Sequence, residues 1–261
     1  MSGTTYDWAT ISVLWARDLK RFFRQPSRIA GALGQPIIFW AVIGSGMATT
    51  FKIPNLEMNY LEFFFPGVVL MVLVFASIFA SISIIDDRSG GFLQAVLAGP
   101  GSRGSMVVGK WLGATTVAFV QAGLFLFFAP LAGFELGAIH WPLLISAMFL
   151  ASFGLTALGF VVAWILDNVQ AYHAIQMTIL VPLWVVSGAM FPADPDSKVF
   201  TLMMSLNPVA YGVTAVRHAL YGGSAPLETV SSTSPLMAMM VLLFFCVVSL
   251  GLAVGVCERR R

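Results

Sequence analysis

The sequence predicts an all-α polytopic membrane protein, and three observations carry that class. The 261 residues are 58% hydrophobic and only 10% charged, with a mean hydropathy of +0.88, whereas soluble domains carry about 25% charged residues. Six apolar runs recur, each near the ~20 residues that a helix needs to cross a bilayer. They cover about 29–49, 63–85, 107–131, 143–166, 171–190 and 236–256. The basic residues gather at alternate ends of these runs, with 11 of the 14 on one side if the N-terminus faces inward: Arg17, Lys20, Arg21, Arg24, Arg28, Arg88, Arg103, Lys110 and Arg259–Arg261. Only Lys52, Lys198 and Arg217 fall on the other side. That asymmetry orients the chain with both termini cytoplasmic.

Residues 1–28 form a cytoplasmic segment with no apolar block of signal-peptide type. Trp8, Ile11, Trp15, Leu19 and Phe22/Phe23 recur every three or four residues, and Arg17, Lys20, Arg21 and Arg24 fill the intervening positions. Asp7 stands at the N-cap and Pro26 ends the pattern. Such a helix lies in the membrane interface and attracts anionic headgroups. Residues 29–256 make the six-span domain, with an inner loop at 86–106, an outer loop at 191–235 and a basic cytoplasmic tail at 257–261. The outer loop holds two apolar pieces, 199–206 and 209–220, broken by Asn207-Pro208 and each too short to cross. A re-entrant helical pair accounts for them.

The inner loop is the most informative stretch. Gly90-Gly91 and Pro100-Gly101 bracket a short segment, 92–98, that reads as a surface helix. The order Asp87, Arg88, Gly90, Gly91, Phe92, Gln94, Leu97, Pro100, Arg103 and Gly109-Lys110 resembles the cytoplasmic loop of type-2 ABC exporter permeases. Two later stretches, Ser187-Gly188-Ala189-Met190-Phe191-Pro192 and Asn207-Pro208 through Arg217, are similar to that family's fifth-span turn and the segment after it. The resemblance implies a coupling helix between spans 2 and 3 that docks on a separate ATPase subunit. It implies a second permease copy as partner in a homodimer. It also implies that ATP and Mg are bound by the ATPase rather than by this chain. The expected activity is export of an amphipathic drug, a lipid or a lipid-linked glycan by alternating access, in a prokaryotic-type cytoplasmic (inner) membrane. The ATPase-coupling set is then Asp87, Arg88, Gly90, Gly91, Phe92, Gln94, Leu97, Pro100 and Arg103. The interface-helix set is Trp15, Arg17, Lys20, Arg21 and Arg24, with membrane lipid as its partner.

Other chemistries find little support. Gly99–Gly104 fits G-x-G-x-x-G but lacks the strand and βαβ unit that a dinucleotide site needs. Gly104–Lys110 fits a phosphate loop until Trp111 stands where a Ser or Thr must meet Mg²⁺. His140, His173 and His218 are too dispersed for a metal cluster. No catalytic set appears, no metal site is expected, and the net charge of +2 gives no reason to expect nucleic acid. Asp86, Asp87, Asp167, Glu135 and Glu62 stand at span ends, where solvation is expected. No Asp, Glu, Lys or Arg falls near the middle of a run, which disfavours an ion-coupled secondary carrier or channel. A membrane anchor or assembly subunit is the third reading. Polar uncharged and aromatic residues, namely Gln35, Ser77, Phe79, Gln121 and Gln176, are the candidates for a translocation path. For each, helix–helix hydrogen bonding is the competing role. Gly109-x-x-x-Gly113 and Gly251-x-x-x-Gly255 permit close helix contact.

Overall fold

A computed structural model describes residues 7–48, 58–91, 102–166, 168–192, 197–222 and 233–259. Among these, nine α-helices follow in order. They are α1 (Trp8–Phe23), α2 (Pro26–Met47), α3 (Tyr60–Ser89), α4 (Arg103–Phe125), α5 (Trp141–Ile165), α6 (Val169–Trp184), α7 (Lys198–Leu206), α8 (Pro208–Tyr221) and α9 (Pro235–Arg259). Six helical stretches are long and apolar enough to cross a membrane: Ile29–Met47, Tyr60–Ser89, Gly104–Ala132, Trp141–Ile165, Val169–Ala189 and Pro235–Val256. The third is finished by a 3₁₀ turn, Leu126–Ala132, and the fifth by a π turn, Val185–Ala189.

A helix apolar on every side must be enclosed on every side, and α3 is that helix. Every residue from Phe63 to Val74 is buried, with α2, α4, α5, α6 and α8 packed around it. Its apolar window is 78% buried, against 17% for α2 and 22% each for α6 and α9. Those three helices therefore present most of their apolar surface outward. Close approach is set by small residues. A Cβ on Gly67 would fall 2.6 Å from the Cβ of Ala189, and the Trp184 indole donates to the Gly67 carbonyl at 2.8 Å.

Pro26 sits at the first turn of α2, where a missing N–H costs nothing. Asn59 caps α3, Ser102 caps α4, His140 caps α5, Asn168 caps α6 and Asn207 caps α8, each side chain accepting a backbone N–H of the first turn. The helices α7 and α8 meet at 87° across Asn207. None of α7 is buried, and nearly all of α8 is. The pair is thus one helix lying outside the bundle and one inserted into it, the bend of a broken span or of a re-entrant loop.

Two expectations need correction. Asp87 stands near the end of a span but is not solvated, because its carboxylate is enclosed by basic side chains from two other helices. Arg217, counted among the outer charges within the apolar piece 209–220, is 3% exposed, because α8 carries it into the core. The short surface helix expected over 92–98 lies outside the described residues.

Candidate functional site

The basic end of the bundle is organised by α1. Its cap, Asp7, accepts the Ala9 amide at 3.0 Å and the Thr10 hydroxyl at 2.5 Å. These bonds, the hydroxyl first, hold its carboxyl below the usual range. The Asp7 amide donates to Ser105 Oγ at 2.7 Å, which ties the start of α1 to the start of α4. Along the helix, Ile11, Leu14, Asp18 and Phe22 share one face. That face lies on the glycine stripe of α4. A Cβ on Gly109 would stand 3.0 Å from the Ile11 carbonyl oxygen, and one on Gly113 would stand 3.1 Å from the Asp18 Cβ. The Gly109-x-x-x-Gly113 stripe is therefore the bed of α1. Gly251 and Gly255 have no described neighbour at that distance.

Four charges close this joint. Arg17 donates Nη1 and Nη2 to the two oxygens of Asp87 at 3.2 and 3.1 Å. Lys110, two turns into α4, lies 3.2 Å from Asp18 Oδ1 and also contacts Asp87 Oδ2. Side-chain exposure is 2% for Lys110, 6% for Asp87, 11% for Asp18 and 34% for Arg17. Two positive and two negative charges share a nearly dry pocket, which is tolerable only because each has opposite neighbours. Burial pushes the Asp18 carboxyl upward against the pull of Lys110. The hydrogen bonds to Asp87 raise the Arg17 guanidinium above its ordinary value. The cluster pins α1, the last turn of α3 and the first turns of α4 together, on both sides of the inner loop.

The remaining coupling and interface residues divide. Arg88 turns back on the bundle and donates Nη2 to the Ala163 and Leu166 carbonyls at 2.7 and 3.4 Å, with its charge 5.6 Å from the Trp164 ring centre. It neutralises the carbonyl end of α5 instead of standing free at a rim. Gly90 ends α3, and Gly91 follows at φ +73°, a conformation that favours glycine. Phe92, Gln94, Leu97 and Pro100 lie outside the described residues, and Arg103 opens α4. On α1, Lys20 and Arg24 are exposed and Arg21 is half-buried, while Trp15 donates to Thr116 Oγ1 at 3.1 Å. Trp8 and Phe23 point outward. The aromatic and basic face expected of α1 is thus partly spent on the protein. Ile11 and Phe22 are buried and Arg17 is paired.

At the opposite end the two later motifs meet each other. Arg217 donates to the Gly188 and Phe63 carbonyls at 3.1 and 3.5 Å and lies 4.6 Å from the Phe63 ring centre. Asn207 donates to the Leu183 carbonyl at 2.5 Å. Gly188 stands at φ +78° in the π turn, so its carbonyl leaves the helical ladder and meets Arg217.

Of the path candidates, Gln35, Phe79 and Gln121 line one cavity of about 260 Å³ between α2, α3 and α4. Ser77 and Gln176 are buried elsewhere. Ser77 donates to the Ser152 carbonyl at 3.4 Å, whereas both amide atoms of Gln176 lack a partner among the described residues. His140 caps α5, His173 packs against Phe79, and His218 Nε2 lies 3.0 Å from the Thr233 carbonyl.

Comparison with known proteins bears on this arrangement. The ABC-2 type transporter family matches residues 9–221, from the first turn of α1 to the last residue of α8. The chain belongs to the ABC-2 type transporter family. A protein of Cyanophora paradoxa named as a transport permease, ycf38, is 28% identical over 215 residues, covering 79% of this chain and 73% of the relative. Nodulation protein J of Neorhizobium galegae is 24% identical over 258 residues, 94% and 92% of the two chains. A daunorubicin resistance ABC transporter permease protein of Streptomyces coeruleorubidus is 23% identical over 221 residues, 82% and 75%.

This ABC-2 chain is therefore an integral membrane transport permease, and its family implies an ABC ATPase partner. Within it, sequence reasoning missed Asp18 and Lys110 as a pair. One signal was present: Asp18 is the only acidic residue inside an otherwise basic helix, and Lys110 follows the first glycine of a stripe inside an apolar run. Charges placed against a helix bed need partners.

Proposed function

We propose that the permease is the membrane half of an ATP-driven exporter, working as a homodimer with two copies of a separate ATPase that binds ATP and Mg. It sits in a prokaryotic-type cytoplasmic membrane with both termini inside, and it moves an amphipathic cargo outward by alternating access. The observation that carries this reading is the joint at the basic end. Residues 92–101 begin five residues after Asp87 and end nine residues before Lys110, and both charges are locked to α1. A push on that loop is delivered to three helices at once. Phe92 and Leu97 supply the apolar anchor for a groove on the ATPase, and Gln94 sets the register. Exposed Trp8, Phe23, Lys20 and Arg24 keep the outer side of α1 at the lipid surface.

Replacing Phe92 and Leu97 together with Asp tests this. The variant inserts and purifies normally, because no span is altered, and co-reconstituted ATPase loses cargo-stimulated ATP hydrolysis. Unchanged stimulation in the double variant would remove the loop from coupling.

A further inference from the structure

We infer that the cavity between α2, α3 and α4 is a cargo-binding site selective for uncharged amphiphiles: an aromatic or polycyclic body bearing a neutral hydrogen-bonding group such as a ketone or hydroxyl. The inference rests on the transport reading and names the cargo class for it.

Three polar groups belong to the site. Gln121 lies well inside the Gly104–Ala132 span, is 5% exposed, and makes no hydrogen bond with any described residue. Its amide opens on the cavity, and at membrane depth a polar group there needs a partner that a bound molecule can supply. Gln35 lines the same cavity from α2. Pro36, one residue on, has no N–H to give to the carbonyl of Ala32, and Ala32 and Pro36 both line the cavity. The α2 face toward the cavity thus carries a carbonyl without its helical donor. These groups accept and donate hydrogen bonds, and none carries charge.

The rest of the lining is apolar, with Met71, Phe75 and Phe79 along α3. No Asp, Glu, Lys or Arg is among the described residues that line it. An ammonium or carboxylate placed there would lose its water and find no counter-charge. A volume of about 260 Å³ is near the small end of the ~300–1,000 Å³ typical of small-molecule pockets. A few convergent polar groups in an apolar pocket are how such sites fix orientation.

The test is direct binding to the purified full chain in lipid nanodiscs, with Nile red as an uncharged aromatic fluorescent probe. Nile red binds saturably. Progesterone, which is uncharged, displaces it, and tetraphenylphosphonium does not. Gln121→Leu weakens Nile red binding about tenfold, the worth of one lost hydrogen bond. Its ligand-free thermal stability is equal to or above wild type, because the substitution exchanges a cavity-facing amide for an apolar group of similar size. Gln35→Leu weakens binding in the same direction, and Ala32→Phe, which fills the space, abolishes it. Absence of saturable binding to wild type, equal affinity in Gln121→Leu, or equal displacement by the cation would each overturn the assignment. A fall in ligand-free stability in Gln121→Leu would also overturn it, by giving Gln121 a structural role. No ATPase is present in the assay. Binding without ATP-driven transport would therefore sink the exporter reading and leave the site, and transport indifferent to Gln121 would do the reverse.

Discussion

Lys110→Met is the sharpest perturbation of the joint that holds α1. Lys110 has 2% side-chain exposure and serves two carboxylates, on Asp18 and Asp87. Its removal leaves both acids in a pocket where, among the described residues, Arg17, 34% exposed and so screened by water, remains to face them. Breaking a buried pair costs about 3–5 kcal/mol. Because Asp87 keeps Arg17, the lower end applies, ~3 kcal/mol. With 1.4 kcal/mol per factor of ten, the undocked population of α1 rises on the order of a hundredfold. Arg17→Met removes a half-solvated partner and costs ~1 kcal/mol, which is about fivefold. Limited trypsin digestion reads that population, since Lys20 and Arg21 lie on α1 and Arg24 caps its end, and cleavage follows opening when reclosing is fast. Neutralising all three buried members (Lys110→Met, Asp18→Asn, Asp87→Asn) recovers much of the protection, as buried pairs roughly break even with uncharged replacements. If Lys110→Met is cut no faster than wild type, or no faster than Arg17→Met, the cluster does not hold the helix.

Three further outcomes follow. Arg217→Leu leaves the Gly188 and Phe63 carbonyls without their donor and lowers stability by ~2 kcal/mol, read as an earlier thermal transition in detergent. Arg217→Lys does not restore it, because an ammonium has no planar group to lie over Phe63 while meeting two carbonyls. Arg88→Met frees the carbonyl end of α5 and costs ~1 kcal/mol, read in the same assay, while Gln25→Ala, at an exposed position, shows no change. In cells, with native thiols removed, a cysteine in place of Ser102 reacts with a membrane-permeant thiol reagent but not an impermeant one. A cysteine in place of Ser224 reacts with both, and the reverse pattern would invert the orientation.

The spans were legible because bilayer thickness fixes their length and because a charge-poor run of ~20 residues has few other uses. The break between α7 and α8 was legible for the same reason applied in reverse. Two apolar pieces broken at Asn207-Pro208 are each too short to cross, and Asn207 both caps α8 and holds the Leu183 carbonyl. What could not be read was the partner of each charge. Asp87 and Arg17 are 70 residues apart, and Asp18 and Lys110 are 92 apart, so no local spacing links them. A lone acid at the end of a span looks solvated until the third helix is in place. Arg217 was subject to the same limit: it lay in the apolar piece 209–220, but nothing in the sequence named the Gly188 and Phe63 carbonyls as its partners. The cavity was half legible. Gln35, Phe79 and Gln121 were picked as polar or aromatic exceptions in apolar runs, but nothing in the sequence distinguished them from Ser77, which bonds a neighbouring helix instead.

The central claim is that the inner loop of this permease receives the stroke of an ATPase. The most direct measurement places a cysteine at Gln94, pairs it with single cysteines around the nucleotide-domain groove of a co-expressed ABC ATPase, and follows the crosslink with and without ATP. A crosslink specific to Gln94→Cys forms and changes in yield or partner position when nucleotide binds, if the loop couples. That crosslink is lost in the Phe92→Asp, Leu97→Asp background. No crosslink to any ATPase, or one indifferent to both nucleotide and the double substitution, would contradict the claim.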